Sequence, residues 1–415
     1  MLLILWGVLS IAYAKPIELT LENDMTVILD QTSHIPQVSL QLHLGFAPQN
    51  YPEGLPHLVE HLLFEMKKDG VLYDHWVEEH QGSSNARTRW SEIIIETTVA
   101  SSAAEELLRW EAWRLNTFCS SLTSENIENQ KLIIVQEMLN QEFRHLGSIP
   151  DRLRKATFSS DPIIGAEVMG AVADLEQITQ DDICRFAQDV FHPGQARLIL
   201  AGDIQDITAA RLETIFFSRK EEIANPTFNK GEYTKTTWYL PSSSDTRLYI
   251  IWRAPAYGSE QEIISDFLLE QLISEQIGVL TEYFSLVSGW SETSIYGGWR
   301  VIELQTDNPE QALEIVEQII RSGDRWIAEK DLQQFQRKTQ SLIAKLQLKN
   351  TERARLLGEC SLAGMGETCF QWEQDRREEL SLTVVFEYLE VDYSLDNASL
   401  LWIGSENLLE GERLP

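Results

Sequence analysis

The chain nearly repeats itself. The stretch "ARLILAGD" near the middle returns as "ASLLWIGS" near the end, with Ala196, Leu198 and Gly202 matching Ala398, Leu400 and Gly404 at a constant offset. Each run is apolar, ends in Gly, and follows a helical segment and a turn, so each reads as the strand that closes a unit. A fixed offset of this kind restricts the fold to two diverged copies of one arrangement. Length agrees, because 415 residues with 43% hydrophobic content exceed one ordinary core and suit two domains of about 200 residues each. Between the copies, "SRKEEIANPTFNKGEYTK" is polar, aperiodic and holds Pro and Gly, the mark of a linker. The expected division is a leader over 1–14, a first domain over 15–218, a linker over 219–235 and a homologous second domain over 236–415.

Periodicity fills in the first copy. "IELTLENDMTVILD" and "QVSLQLHLGFA" alternate apolar and polar residues, with a turn-forming Glu22-Asn23-Asp24, and predict antiparallel strands. In "GLPHLVEHLLFEMKK", Leu58, Leu62 and Met66, flanked by Val59 and Leu63, have helical spacing. Strand-like runs surround "SEIIIETTVA", and two helices follow, the second opening at Thr123 or Ser124 as N-cap. A helix at "TQDDICRFAQDVF" and a His192-Pro193-Gly194 break lead into the closing strand. The second copy begins near Thr236 and carries a helix at "EIISDFLLEQLISE" in the place of "HLVEH", without a His. The fold class expected is α+β: two homologous domains, each an antiparallel sheet flanked by helices, enclosing a cleft.

Charge narrows the partners. With 34 Lys+Arg against 64 Asp+Glu, the formal charge of -30 repels phosphate backbones and anionic lipid surfaces, which argues against nucleic acid and favours a basic peptide or protein. The same charge also serves a solvated surface. The opening "MLLILWGVLSIAYAKP" is an apolar run followed by Ala12-Tyr13-Ala14, where a signal peptidase could cut before Lys15. It is too short for a stable membrane span, and no Cys follows it for a lipid anchor, so the protein is expected to be exported, periplasmic or secreted. No Lys or Arg precedes the apolar core, which leaves a buried first strand as the other reading. Cys119, Cys184, Cys360 and Cys369 are too sparse for a disulfide framework and are expected as buried free thiols, with Cys360 and Cys369 the one pair that could bridge.

The chemistry gathers at "HLVEH". On a helix, His57 and His61 project from one face, so two imidazole nitrogens can converge on one ion, and Glu60 lies on the same side without needing to bind it. This is the inverted form of the His-Glu-x-x-His zinc motif. The alternative is a helix with two histidines on its polar edge. A catalytic zinc needs three protein ligands and an open position, and "ENQKLIIVQEMLNQEF" offers Glu128, Glu137 and Glu142. His75, His80 and His145 sit in charged contexts and read as exposed. Trp238, Trp252, Trp290 and Trp299 read as core or interface. No Gly-rich phosphate loop or Ser nucleophile elbow occurs.

These stretches resemble the pitrilysin/insulinase family of inverted-zincin metallopeptidases, in which Gly-x-x-His-x-x-Glu-His is followed about 76 residues later by a Glu on a helix; Glu137 stands at that distance from His61. "GSSNART" is similar to the family's Gly-x-x-Asn-Ala segment on an edge strand, with Asn85 and Ala86 as the matching residues. The resemblance spans nearly the whole chain after the leader. It implies one Zn2+ per chain on His57, His61 and Glu137, Glu60 as the proton carrier in hydrolysis of small proteins or unfolded peptides, and peptide held extended by Asn85 and the edge strand.

Two positions depart from the family's pattern. Where the family has a Glu seven residues before the metal-binding one, this chain has Gln130, which can orient a ligand but not carry charge. Where active relatives show an Arg and a Tyr in the C-terminal half, alignment on Gly289 places Ser285 and Glu292, with Tyr296 and Arg300 nearby in the wrong order. The resemblance therefore implies a metal-bearing subunit that takes the Arg/Tyr pair from a paralogous partner in a heterodimer, or works as a homodimer. The alternative is a catalytically weak or silent subunit that binds a paralogue or peptides.

Overall fold

The computed structural model describes residues 15–32, 35–142, 149–217, 231, 233–346 and 348–415. The expected leader at 1–14, His145 and most of the expected linker at 219–235 lie outside the described residues. The first half builds a six-stranded sheet from β1 (Ile17–Thr20), β2 (Thr26–Gln31) and β3 (Gln37–Gly45), then, past a small hairpin of β4 (Lys67–Lys68) and β5 (Val71–Leu72), from β6 (Ser83–Thr88), β7 (Glu92–Ala100) and β8 (Ala196–Gly202). The second half builds another from β9 (Thr237–Pro241), β10 (Arg247–Ala254), β11 (Val287–Ser294), β12 (Gly297–Gln305), β13 (Ser399–Gly404) and β14 (Glu412–Arg413).

The strand orders are β1-β2-β8-β3-β7-β6 and, read in the same sense, β14-β9-β13-β10-β12-β11. The repeated strands β8 and β13 thus occupy the same interior place, each between a parallel neighbour (β2 or β9) and an antiparallel one (β3 or β10). The sheets are otherwise mainly antiparallel. The parallel pair arises because each closing strand returns after a long helical excursion, the kind of connection that parallel pairing needs.

Helices of the first half are α1 (Leu55–Phe64), α2 (Tyr73–Glu79), α3 (Ala104–Ser121), α4 (Ser124–Glu142), α5 (Ile149–Thr157), α6 (Val172–Gln177), α7 (Gln180–Val190) and α8 (Ala209–Ile215). The second half adds α9 (Glu260–Ile273), α10 (Pro309–Arg321), α11 (Gly323–Trp326), α12 (Glu329–Leu346), α13 (Asn350–Leu362), α14 (Cys369–Glu378) and α15 (Leu382–Asp392). None of the helices among the described residues is long and apolar enough to cross a membrane.

Strand β3 shows how both faces of a sheet are covered. Val38, Leu40, Leu42 and Leu44 join Leu58, Leu62 of α1 and Leu107 of α3 in the first core. The alternate residues Ser39, Gln41 and His43 are equally buried, and each is hydrogen-bonded across to β7: Ser39 to Thr98, Gln41 to Glu96, and His43 Nδ1 to Glu92 at 2.9 Å. Burial of so many polar groups is tolerated because they are paired. The cover on that face is α13, a helix of the second half, whose Ala354 and Leu357 pack with Ile28, Ile199 and Ala201. Gly358 permits the approach, since a Cβ there would lie 2.3 Å from His43 Nε2. Arg353 of the same helix forms a bidentate, fully buried pair with Asp30 of β2.

The exchange is mutual. Leu153 of α5, with Phe158, Ile163 and Ile164, packs from the first half on Tyr249, Ile251, Val301 and Leu401 of the second sheet, whose opposite face (Leu248, Ile250, Trp252) meets α9 and α15. Each sheet is therefore covered on one side by its own helices and on the other by its twin's. Trp252 and Trp299 are core residues, and Trp238 reaches across to Thr157, as expected for a core or interface role.

The cysteines correct the sequence reading. None is free: Cys119 of α3 pairs with Cys184 of α7, and Cys360 of α13 with Cys369 of α14. The first pair joins residues far apart in sequence, so no local spacing announced it.

Candidate metal centre

Helix α1 begins abruptly. Gly54 takes φ +80 as its N-cap, a conformation open to Gly, and its Cα lies so near Met169 that a Cβ would come within 2.6 Å of that carbonyl oxygen. Pro at the first turn then fixes the helix direction. Leu55, Leu58, Val59 and Leu62 anchor one face in the core, which leaves His57, Glu60 and His61 on the other. Helix α4 crosses α1 and is held by Ile127 and Ile134 in the same core and by Lys131 Nζ on the Ile178 carbonyl at 2.9 Å.

The crossing brings three donor groups together. The imidazole Nε2 atoms of His57 and His61 lie 3.2 Å apart. The Glu137 Oε2 atom lies 3.8 Å from His57 Nε2 and 3.6 Å from His61 Nε2. Among the described residues, this is the group of His, Cys, Asp and Glu side chains close enough to share an ion. The donor set fits zinc: two imidazole nitrogens and one carboxylate oxygen, with the separations of about 3.3 Å that tetrahedral bonds of about 2.0–2.1 Å require. Both histidines are mostly covered, while the Glu137 side chain is 43% exposed, so the cluster borders solvent on the Glu137 side.

Hydrogen bonding sets the imidazoles for this. The His61 Nδ1–H donates to the Gln130 side-chain carbonyl at 3.0 Å, which leaves the Nε2 lone pair facing the cluster. Gln130 is buried on α4, and it supplies a neutral acceptor. The His57 Nδ1 atom is buried with no hydrogen-bond partner among the described residues. Burial, and then neighbouring His61, pushes the His57 imidazolium down to about 4, so His57 is neutral at ordinary pH, the form that ligates metal.

Glu60 sits beside the cluster rather than in it. Burial raises its carboxyl above the ordinary range, while hydrogen bonds from the Thr88 hydroxyl and the Thr88 backbone N–H pull it back. The hydroxyl donates to Glu60 Oε2 at 2.5 Å. Thr88 was not among the residues singled out in the sequence, yet strand period places it two residues beyond Ala86 on the face that meets α1.

Asn85 and Ala86 lie on β6, the outermost strand of its sheet. Ala86 packs toward the core, whereas Asn85 is exposed and registered opposite Glu96. Arg300 does not face the site: its guanidinium is buried, bonded to Ser265, Tyr388 and the Asp392 carbonyl, and lies 3.9 Å from the Tyr393 ring. Ser285 is exposed ahead of β11, and Glu292 accepts from Trp299 Nε1. Tyr296 lines a cavity of about 360 Å³ between the halves, with Arg89, Glu92, Tyr257, Glu292 and Glu359. A neighbouring cavity of about 280 Å³ adjoins α1, bounded by Phe46, Tyr51, Pro56, Thr88 and Trp90. His75 pairs with Glu79 on an exposed face and His80 with the Trp76 carbonyl, so neither joins the cluster.

Residues 25–170 match the family model described as insulinase, peptidase family M16. No curated protein sequence matches the chain. Among solved structures, a protease from Helicobacter pylori aligns with a TM-score of 0.77 at 14% identity, covering 94% of this chain and 100% of that one. A peptidase M16 inactive domain from Pseudomonas fluorescens gives 0.78 at 12% identity, over 97% of this chain and 100% of that one. The first half of the periplasmic protease PqqL from Escherichia coli gives 0.72 at 14%, over 95% and 92%. At these identities, the likeness is one of fold.

Proposed function

We propose that this chain, whose residues 25–170 match the insulinase family model, is a zinc-dependent endopeptidase of the pitrilysin/insulinase family acting on small proteins or unfolded peptides. The observation that carries this reading is the convergence of His57, His61 and Glu137 with Glu60 held at their side. The reading assigns the metal-bearing domain to 15–218 and a homologous domain without the motif to 236–415, joined through 219–235.

His57, His61 and Glu137 would hold the ion. When bound, zinc supplies a Lewis acid that acidifies water and polarises a carbonyl. The free edge of β6 would pair with the backbone of an extended peptide, with Asn85 and Ala86 along it, so affinity would come from main-chain hydrogen bonds with little demand on sequence. Glu60 would accept a proton from the attacking water as its oxygen bonds to the scissile carbon. It would return that proton to the departing amine nitrogen as the C–N bond breaks. Gln130 would keep His61 in the tautomer that presents Nε2. The two disulfides support an oxidising compartment, in keeping with an exported protein.

A second reading has its own support: Gln130 is uncharged, and Arg300 is committed to the core. On it, the chain is a weak or silent subunit completed by a paralogue. Metal analysis together with a peptide-cleavage assay separates the two. The peptidase reading expects about one zinc per chain and turnover that falls by about 100-fold or more in Glu60→Gln with zinc retained. Turnover that appears only with an added paralogue lacking the motif makes the chain the metal-bearing half of a heterodimer. Bound zinc without Glu60-dependent hydrolysis, even then, leaves the silent reading.

A further inference from the structure

We propose that Thr88 is the positioning residue for Glu60, and that it couples the orientation of the base to the strand that receives the peptide. The proposal rests on the endopeptidase reading above. A carboxylate on a helix surface can rotate about three side-chain bonds, so a base that must meet a water at one place needs to be held. Glu60 has such a hold. The Thr88 hydroxyl donates to Oε2 at 2.5 Å, and the Thr88 backbone N–H bonds the same carboxylate.

Thr88 is well placed to be rigid. It is the last residue of β6 and pairs with Ile93 of β7, itself fully buried. Its branched side chain has few rotamers to choose from. Ser84, two positions before Ala86 on the same face, donates to Asp74 of α2, so that face of β6 is tied to the helices at both ends. The opposite face carries Arg87, bound to Glu96 at 3.1 Å. One residue thus belongs to two parts of the site: its backbone to the edge strand, its hydroxyl to the base. A peptide that pairs with the strand edge tightens the element from which Glu60 is held.

The test compares Thr88→Val, which keeps the shape and removes the hydroxyl, with Thr88→Ser, which keeps the donor. Crystal structures of both variants and of the wild type, without metal, read the carboxylate directly. Glu60 is expected in its wild-type position in Thr88→Ser and rotated away in Thr88→Val, with zinc stoichiometry unchanged in both. In turnover, kcat is expected to fall about 10- to 100-fold in Thr88→Val with KM little changed, and to recover in Thr88→Ser. A Glu60 carboxylate that stays in place in Thr88→Val overturns the proposal, whether or not the protein hydrolyses peptides. A loss of kcat that Thr88→Ser fails to restore also overturns it. If the wild type binds zinc but hydrolyses nothing, the endopeptidase reading falls while the structures still decide the positioning.

Discussion

At the scale of single residues, the centre is defined by what stands behind the ligands. A carboxylate behind a ligating His raises its basicity, and such outer partners are worth about 10- to 100-fold in metal affinity. Here, the partner of His61 is the neutral Gln130, and His57 Nδ1 has none among the described residues. Replacing Gln130 by Glu is therefore expected to tighten zinc binding about 10-fold, measured by competition with a chromophoric chelator. An unchanged dissociation constant would show that the His61 contact sets only the tautomer. The cluster was legible in the sequence because helix period alone puts His57 and His61 together, and Glu137 followed from the resemblance. Thr88 was not, because its role depends on the angle at which β6 passes α1. Arg300 was misleading for a related reason: proximity in sequence to Gly289 said nothing about which face of β12 it would occupy, and it faces α9 and α15.

At the scale of elements, the least legible feature is the destination of α5 and α13. Both have apolar positions at helical spacing, but a hydrophobic stripe does not say which sheet it covers. The polar residues Ser39, Gln41 and His43 on β3, read from the sequence only as the polar half of an alternating strand, form a buried, paired layer beneath α13. The contact leaves no spare room at Gly358. Gly358→Val is expected to destabilise the protein by about 1–3 kcal/mol, because His43 is held by Glu92 and Gln41 and cannot swing aside freely. A urea midpoint equal to that of wild type would show that α13 can back off its sheet without cost.

At the scale of the whole molecule, the repeat in the sequence announced the paired architecture, and the shared strand order bears it out. The Cys119–Cys184 bridge went unread, since half-buried cysteines on separate helices carry no spacing signal, whereas Cys360 and Cys369 were the one pair the sequence offered for a bridge. In the chain-entropy view, closing a loop of 65 residues between Cys119 and Cys184 contributes roughly 4 kcal/mol, and closing the short Cys360–Cys369 loop roughly 3 kcal/mol. Replacement of Cys119 and Cys184 together by Ala or Ser is expected to lower the unfolding temperature more than the same change at Cys360 and Cys369. Equal shifts in calorimetry would count against loop closure as the cause.

The mutual covering of the sheets bears on how the space between the halves is governed. A jaw opens about a hinge because few atoms cross it. Here the traffic across is two interleaved cores and the Asp30–Arg353 pair, so spreading the halves would strip apolar faces on both sides at once. The gap behaves as a fixed gauge.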